Sequence, residues 1–220
     1  MNKEVKTRTR RKRGSLTREQ VVDAALALAD ESGLAGLTMP ALAARLGCGV
    51  MTLYGYVRGK DELLEEMGQR GIADLALPRP LAADAEGVLV AWGQAMRATL
   101  SRHPALPAIY LNQAVVGPGI LRGVEALLGA LRGRGYPPER GVAAIYAVLI
   151  YTIGFVAWEL PRAAQHSDAY AASWRQAVAG LTPPDAYPLT SANVDALTRV
   201  AADGQFELGL RSLAAGLARS

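Results

Sequence analysis

Residues Val142 to Trp158, VAAIYAVLIYTIGFVAW, form a run of 17 positions without a charge, and no other feature constrains the fold as strongly. The run sits at the low edge of the length that spans a bilayer, and it carries two tyrosines, a threonine and a glycine. We read it as the middle of a helix over about residues 138–160, buried in a protein core or a subunit interface. No membrane partner is expected.

The rest of the pattern is helical as well. Half of the residues are apolar, and alanine and leucine dominate, which favours helix over sheet. Thr17 with Gln20 fits a capping box, and Val21, Ala25 and Leu28 follow at helical spacing until Gly33 stops the helix. A second short helix is expected at about 39–46, with Thr38 near its cap, Pro40 in its first turn and Gly47 at its end. A third, of six or seven residues, lies in CGVMTLYGYV (Cys48 to Val57), closed by Gly59, and a fourth starts near Asp61. PRPLAAD (Pro78 to Asp84) interrupts the pattern and is the expected domain boundary. Beyond it we expect helices around 84–102, 120–133, 138–160 and 168–179, a broken section at HPALPAIYLNQAVVGPG, a loop at GLTPPDAYPLTS, and one or two helices from Asn193 to Ala218. With no convincing strand, the fold class is all-α.

Charge is unevenly placed. Residues 1–14 hold seven Lys/Arg and one Glu, a surplus of six; the whole chain is only +4, so the remainder carries about −2. A short basic arm on a near-neutral body suits a polyanion such as nucleic acid or an anionic surface. The arm has almost nothing to bury and is expected to be disordered in isolation. One cysteine, Cys48, excludes an internal disulfide and reads as a small filler in a turn. Two histidines and one cysteine make no metal cluster, and neither a metal nor a cofactor is expected. His103, before Pro104, reads as a helix-end residue, and His166 as exposed. No Gly-rich phosphate loop, nucleophile elbow or metal spacing appears, so an enzyme is not expected.

On a helical wheel of Cys48 to Val57, Val50, Leu53 and Val57 share one side and must face a core. Met51, Thr52 and Gly55 point the other way, with Tyr54 and Tyr56 on the flanks. So short a helix must be pinned by its neighbours. What remains outward is a compact uncharged surface that fits a major groove. This is helix-turn-helix geometry: a helix at about 39–46, the turn GCG, and a reading helix. Thr52 suits a base edge or a thymine methyl, and the flanking tyrosines and Lys60 suit phosphate. Arg10, Arg11 and Arg13 would supply affinity from the arm.

LTREQVVDAALALADESGLAGLTMPALAARLGCGVMTLYGYVRGKDELLEEM, Leu16 to Met67, strongly resembles the DNA-binding domain of the tetracycline-repressor (TetR/AcrR) family of bacterial transcriptional regulators. DGQFELGLRSLAAGL (Asp203 to Leu217) resembles the closing helix of the tetracycline-repressor subgroup. The resemblance implies a cytoplasmic, nucleoid-associated homodimer that binds double-stranded operator DNA, represses, and is released by a small-molecule effector. It implies DNA contacts at Thr52, Tyr54, Tyr56 and Lys60, with Thr38 touching phosphate; Met51 and Gly55 join the candidate DNA contacts from the outward side of the wheel. Pro40 stands where the namesake has a base-reading arginine, and Gly55 where many relatives have a large aromatic, so the operator is expected to differ. His103 and His166 do not match the namesake's magnesium–tetracycline ligands.

The domains are then a basic arm over 1–14, a helix-turn-helix domain over 15–77, and an effector-binding and dimerisation domain over 78–220. Trp92, Met96, Leu100, Tyr110, Tyr151, Phe155 and Trp158 are the candidate lining of a largely apolar pocket, weighed against plain core packing. Phe206, Leu210, Leu213 and Leu217 step by four, three and four and are the candidate dimer seam, together with helix 138–160. The alternatives are an architectural DNA-binding protein without an effector and, further off, a helical enzyme.

Overall fold

The Thr17 hydroxyl oxygen accepts from the Gln20 amide at 3.2 Å, and Gln20 Oε1 accepts from the Thr17 amide at 3.1 Å. This reciprocal capping box opens α1 (Arg18–Gly36) in the computed structural model, which describes residues 16–73, 75, 79–163, 168–197 and 203–219. Gly33 has φ 71°, a left-handed value that glycine takes without strain, and it breaks the regular helix where the sequence predicts a stop. Helical bonding then resumes as far as Gly36. The Thr38 hydroxyl caps α2 (Met39–Leu46) by accepting from the Ala41 amide at 3.2 Å, and Pro40 sits in the first turn. Gly47, at φ 67°, closes α2 and turns the chain into α3 (Val50–Leu53). The third helix is shorter than the six or seven residues expected. After Leu53 the bonding tightens, with Tyr56 N–H and Val57 N–H both donating to the Leu53 carbonyl, at 2.9 and 3.1 Å.

Nine further elements follow among the described residues: α4 (Lys60–Ala73), α5 (Ala85–Arg102), α6 (Leu106–Asn112), α7 (Pro118–Arg132), α8 (Pro138–Ala163), α9 (Asp168–Leu181), α10 (Pro188–Ala192), α11 (Val194–Leu197) and α12 (Asp203–Arg219). The described residues contain no strand, and the fold is all-α. Two short helices, α6 and α10, fall where the sequence suggests a broken section and a loop. Each has a proline in its first turn, where a missing N–H leaves no bond unmade.

The chain forms two compact units. One comprises Met1–Ala76 with Ala98–Ala126, and the other Leu77–Arg97 with Leu127–Ser220. In the first, α1 packs on α2 and α4, α2 on α3, and α4 on α6. Val21, Ala25, Leu42, Leu53, Leu63 and Met67 are fully buried there. Each large apolar side chain so enclosed stabilises the unit by about 1.5–3 kcal/mol against exposure. The α4–α6 contact is tight because α4 is flat at that point. A Cβ on Gly71 would fall 2.4 Å from Leu106 Cδ1, and one on Gly68 would fall 2.8 Å from Val115. Asp30 on α1 joins the turn before α6, accepting from the Ala105 amide at 3.1 Å and lying 2.9 Å from His103 Nδ1. His103 is therefore a helix-end residue with a defined carboxylate partner.

In the second unit α8 packs along α12, and α9 meets α11. One side of α8, through Ala144, Ile145, Val148, Thr152 and Val156, is buried. The opposite side carries Val142, Tyr146, Ile150, Gly154 and Trp158, each four residues from the last, and all five are exposed on the single chain. By length and composition α8 could cross a membrane, but 39% of its apolar stretch is already buried inside the chain.

The seam on α12 requires a correction. Phe206 and Leu210 are fully buried against the chain's own residues, and Leu213 and Leu217 are half-buried. The Leu217 carbonyl is taken by the Tyr136 hydroxyl at 2.6 Å. An apolar stripe at helical spacing says that a face is covered, not by whom; here α8 of the same chain covers it. The side of α12 left outward carries Leu208, Ser212 and Gly216.

Candidate nucleic-acid interface

The helix-turn-helix is set by two glycines and a short apolar stripe. Gly47 reverses the chain after α2, Gly49 begins α3, and Leu53 and Val57 plug α3 into the core of the first unit at 0% and 2% exposure. Val50 is half-buried beside them. This fixes what is left outside: Met51 at 81% exposure, Thr52, Tyr54 at 47% and Gly55. The outward surface is uncharged and low in bulk, which is the shape the wheel predicts.

The two tyrosines are placed differently. Tyr54 projects outward, and among the described residues its hydroxyl makes no hydrogen bond. The Tyr56 hydroxyl donates to the Leu16 carbonyl at 2.9 Å and is partly buried. Its single proton is thus used inside the protein. Lys60 Nζ donates to the Leu34 carbonyl at 2.9 Å, which leaves two of its three N–H groups for another acceptor. Thr38 uses its hydroxyl oxygen as a helix cap, and the hydroxyl proton remains available. Arg10, Arg11 and Arg13 lie outside the described residues, as do His166 and the boundary around residue 78.

A charged network that the sequence does not announce braces this head. Arg18 Nη2 lies 2.7 Å from Glu62 Oε1 and 3.0 Å from Glu66 Oε1, tying α1 to α4. The Arg58 amide donates to Glu62 Oε2 at 2.5 Å. The Arg58 backbone bond and the Arg18 guanidinium hold the Glu62 carboxyl down at about 2, well below its ordinary value. The same contacts with Glu62 and Glu66 raise the pKa of Arg18. Arg70 Nε pairs with Asp23 at 2.7 Å, and Arg45 makes a two-pronged contact with Glu31 at 2.6 and 2.7 Å, which lowers the Glu31 carboxyl. Apart from Arg58 and Glu62, which are four residues apart, the partners lie 14 to 48 residues apart in sequence, beyond any local pattern.

Of the seven candidate pocket residues, Leu100 and Tyr110 belong to the first unit and Trp92, Met96, Tyr151, Phe155 and Trp158 to the second. Trp92 and Met96 are buried in the core of the second unit, and Leu100 in that of the first. Tyr110 belongs to the α4–α6 joint: its hydroxyl donates to the Gly68 carbonyl at 2.7 Å, and burial pushes its pKa up. Trp158 is on the exposed side of α8, with the Arg162 guanidinium 4.1 Å from its ring centre. Tyr151 and Phe155 do come together. They pack with Phe206, at ring separations of 5.6 Å (Tyr151–Phe206) and 5.2 Å (Phe155–Phe206). Arg97 lies 4.6 Å over the Phe206 ring and pairs with Glu159. On the same face of α8, Thr152 is fully buried and its hydroxyl has no partner. An open groove of 660 Å³ at the start of α4 is lined by Arg58, Lys60, Asp61, Glu62 and Glu65, too charged for an apolar ligand. Among the described residues no cluster of histidine, cysteine or carboxylate could hold a metal ion.

Two family descriptions match the chain. Residues 21–67 match the tetR family of bacterial regulatory proteins, and residues 77–220 match the tetracyclin repressor-like C-terminal domain. The chain belongs to the TetR family. The TetR-family chain is 36% identical over 141 residues to the HTH-type transcriptional repressor DrrR1 of Streptomyces coeruleorubidus, covering 64% of this chain and 52% of that one. It therefore spans about half the length of the first such relatives. It is 32% identical over 166 residues to the class D tetracycline repressor protein of Escherichia coli, covering 71% and 72% of the two chains. The structure of the TetR-family protein ActR of Streptomyces coelicolor in complex with (S)-DNPA superposes with a TM-score of 0.78 at 25% identity, covering 92% of this chain and 96% of that one. Regulators of the TetR family bind operator DNA and small-molecule effectors and form dimers.

Proposed function

We propose that this chain is a ligand-responsive transcriptional repressor that binds a palindromic operator as a homodimer. A small, largely apolar effector releases it. The observation that carries this reading is the outward face of α3. Met51, Thr52 and Gly55 are exposed, uncharged and held by a buried anchor at Leu53 and Val57. Thr52 and Met51 would meet base edges and methyl groups, and Gly55 lets the backbone come close. Tyr54, Thr38 and Lys60 would hold phosphates, and Arg10, Arg11 and Arg13 would add charge from the arm. The protein works in the cytoplasm, on the nucleoid.

The exposed stripe of α8 supports the dimer. Val142, Tyr146, Ile150, Gly154 and Trp158, with Leu208, Ser212 and Gly216 of α12, would form a two-fold interface, and the small residues let helices approach closely. The effector reading is supported by the ligand-bound ActR relative and by the Tyr151–Phe155–Phe206 cluster beside the unpartnered Thr152 hydroxyl. Effector binding would change the separation of the two heads so that both can no longer dock together.

Selection from a random duplex library tests the reading. The expected product is a two-fold symmetric sequence whose half-sites lie about 34–36 Å apart, one helical turn. Enrichment of no sequence, with equal affinity for all duplexes, would replace the repressor with an architectural protein.

A further inference from the structure

The fate of the Tyr56 hydroxyl separates two roles that sequence alone assigns to both flanking tyrosines. Phosphate only accepts hydrogen bonds, so a tyrosine that holds it must donate its one proton. Tyr54 has that proton to give. Tyr56 has already given it, to the Leu16 carbonyl at 2.9 Å in a partly buried position.

Leu16 lies two residues beyond the last residue of the basic arm. Three consecutive residues at this root are tied down. The Leu16 carbonyl is held by Tyr56, Thr17 is locked in the capping box with Gln20, and Arg18 is held by Glu62 and Glu66 at 2.7 and 3.0 Å. Glu62 also takes the Arg58 amide, at 2.5 Å. The start of α1 is therefore fastened to the turn at Tyr56–Arg58 that closes the reading helix, and not only to the body of the head. The arm holds a charge surplus of six on a chain whose remainder is slightly negative; on the repressor reading, much of the affinity for a polyanion would come from residues 1–14. What a tethered polycation contributes depends on where its tether begins and in which direction it leaves.

We propose that Tyr56 is a positioning residue for the basic arm. By holding the Leu16 carbonyl it fixes where residues 1–14 leave the head relative to the reading helix, and it acts on DNA through the arm. The inference rests on the repressor reading. Because Phe keeps the ring packing and removes only the hydroxyl, Tyr56→Phe isolates the tie.

Fluorescence anisotropy with the selected duplex compares the full chain and a chain lacking residues 1–13, each with and without Tyr56→Phe. In the full chain Tyr56→Phe weakens binding about three- to tenfold, the size of one hydrogen bond, and flattens the salt dependence toward that of the truncated chain. In the truncated chain it changes nothing. Hydrogen exchange without DNA shows faster exchange at the amides of residues 17–21. An equal loss in both backgrounds would make Tyr56 a direct phosphate contact and overturn the inference, as would no loss in either or unchanged exchange. Failure of the unaltered chain to bind any duplex is a different result: it removes the repressor reading, and this inference with it.

Discussion

The Tyr110 hydroxyl donates to the Gly68 carbonyl at 2.7 Å, so a phenol that reads in sequence as a ligand contact is a fastener between α6 and α4. Tyr110→Phe keeps the ring and loses that bond. The expected cost is about 0.5–1.5 kcal/mol, read from urea denaturation. Gly71→Ala should cost more, about 1–3 kcal/mol, because its Cβ would fall 2.4 Å from Leu106 Cδ1 in a buried contact. If Gly71→Ala is as stable as the parent, the α4–α6 joint is looser than described.

Asp30 serves two groups at once, the Ala105 amide and the His103 ring. Asp30→Ala strands both and should destabilise the chain by about 1–3 kcal/mol. Asp30→Asn keeps an acceptor for the amide and should cost less. Equal losses for the two would mean that the carboxylate's charge toward His103, and not the amide bond, is what matters.

Glu62 makes stability depend on acid. The Arg58 amide and the Arg18 guanidinium hold its carboxyl down at about 2 in the folded chain, against an ordinary value of 4.5. A group depressed on folding stabilises the fold above its unfolded value and loses that contribution as pH falls through the folded one. Between pH 4.5 and about 2 the parent chain should therefore lose stability progressively, and Glu62→Gln should flatten that part of a plot of melting temperature against pH. The same slope in both proteins would assign the acid loss to other carboxylates.

Much of this architecture was readable because it is local. Thr17 and Gln20, Thr38 and Pro40, and Gly47 act within one turn of their own positions, so their roles follow from spacing. The division of α3 into a buried side at Leu53 and Val57 and an open side at Thr52 and Gly55 follows from 100° per residue. The partners of Tyr56, Arg18, Asp30 and Tyr110 did not follow, since each lies 40 or more residues away. The α12 seam shows the limit most plainly. Its stripe reads in sequence as a dimer seam, and only coordinates tell that Phe206 and Leu210 are covered by their own chain.

The open stripe of α8 gives the dimer reading its own test. Ile150 is 68% exposed on the single chain, so Ile150→Glu should leave the fold intact while placing a charge in the middle of the proposed interface. Sedimentation should show a monomer where the parent is a dimer, and affinity for the two-fold duplex should fall by about a hundredfold or more, since avidity is lost. An unaltered dimer would move the interface elsewhere.

The most direct measurement of the central claim is the affinity of Thr52→Glu for the selected duplex, taken beside its melting temperature. Thr52 is exposed on α3, so the substitution should leave the melting temperature within about 2 °C of the parent's, as expected for a surface change. It aims a carboxylate at the groove, and binding should weaken about a hundredfold or more. Unchanged binding by a folded Thr52→Glu chain would contradict the account, because the outward face of α3 would then not be what meets DNA.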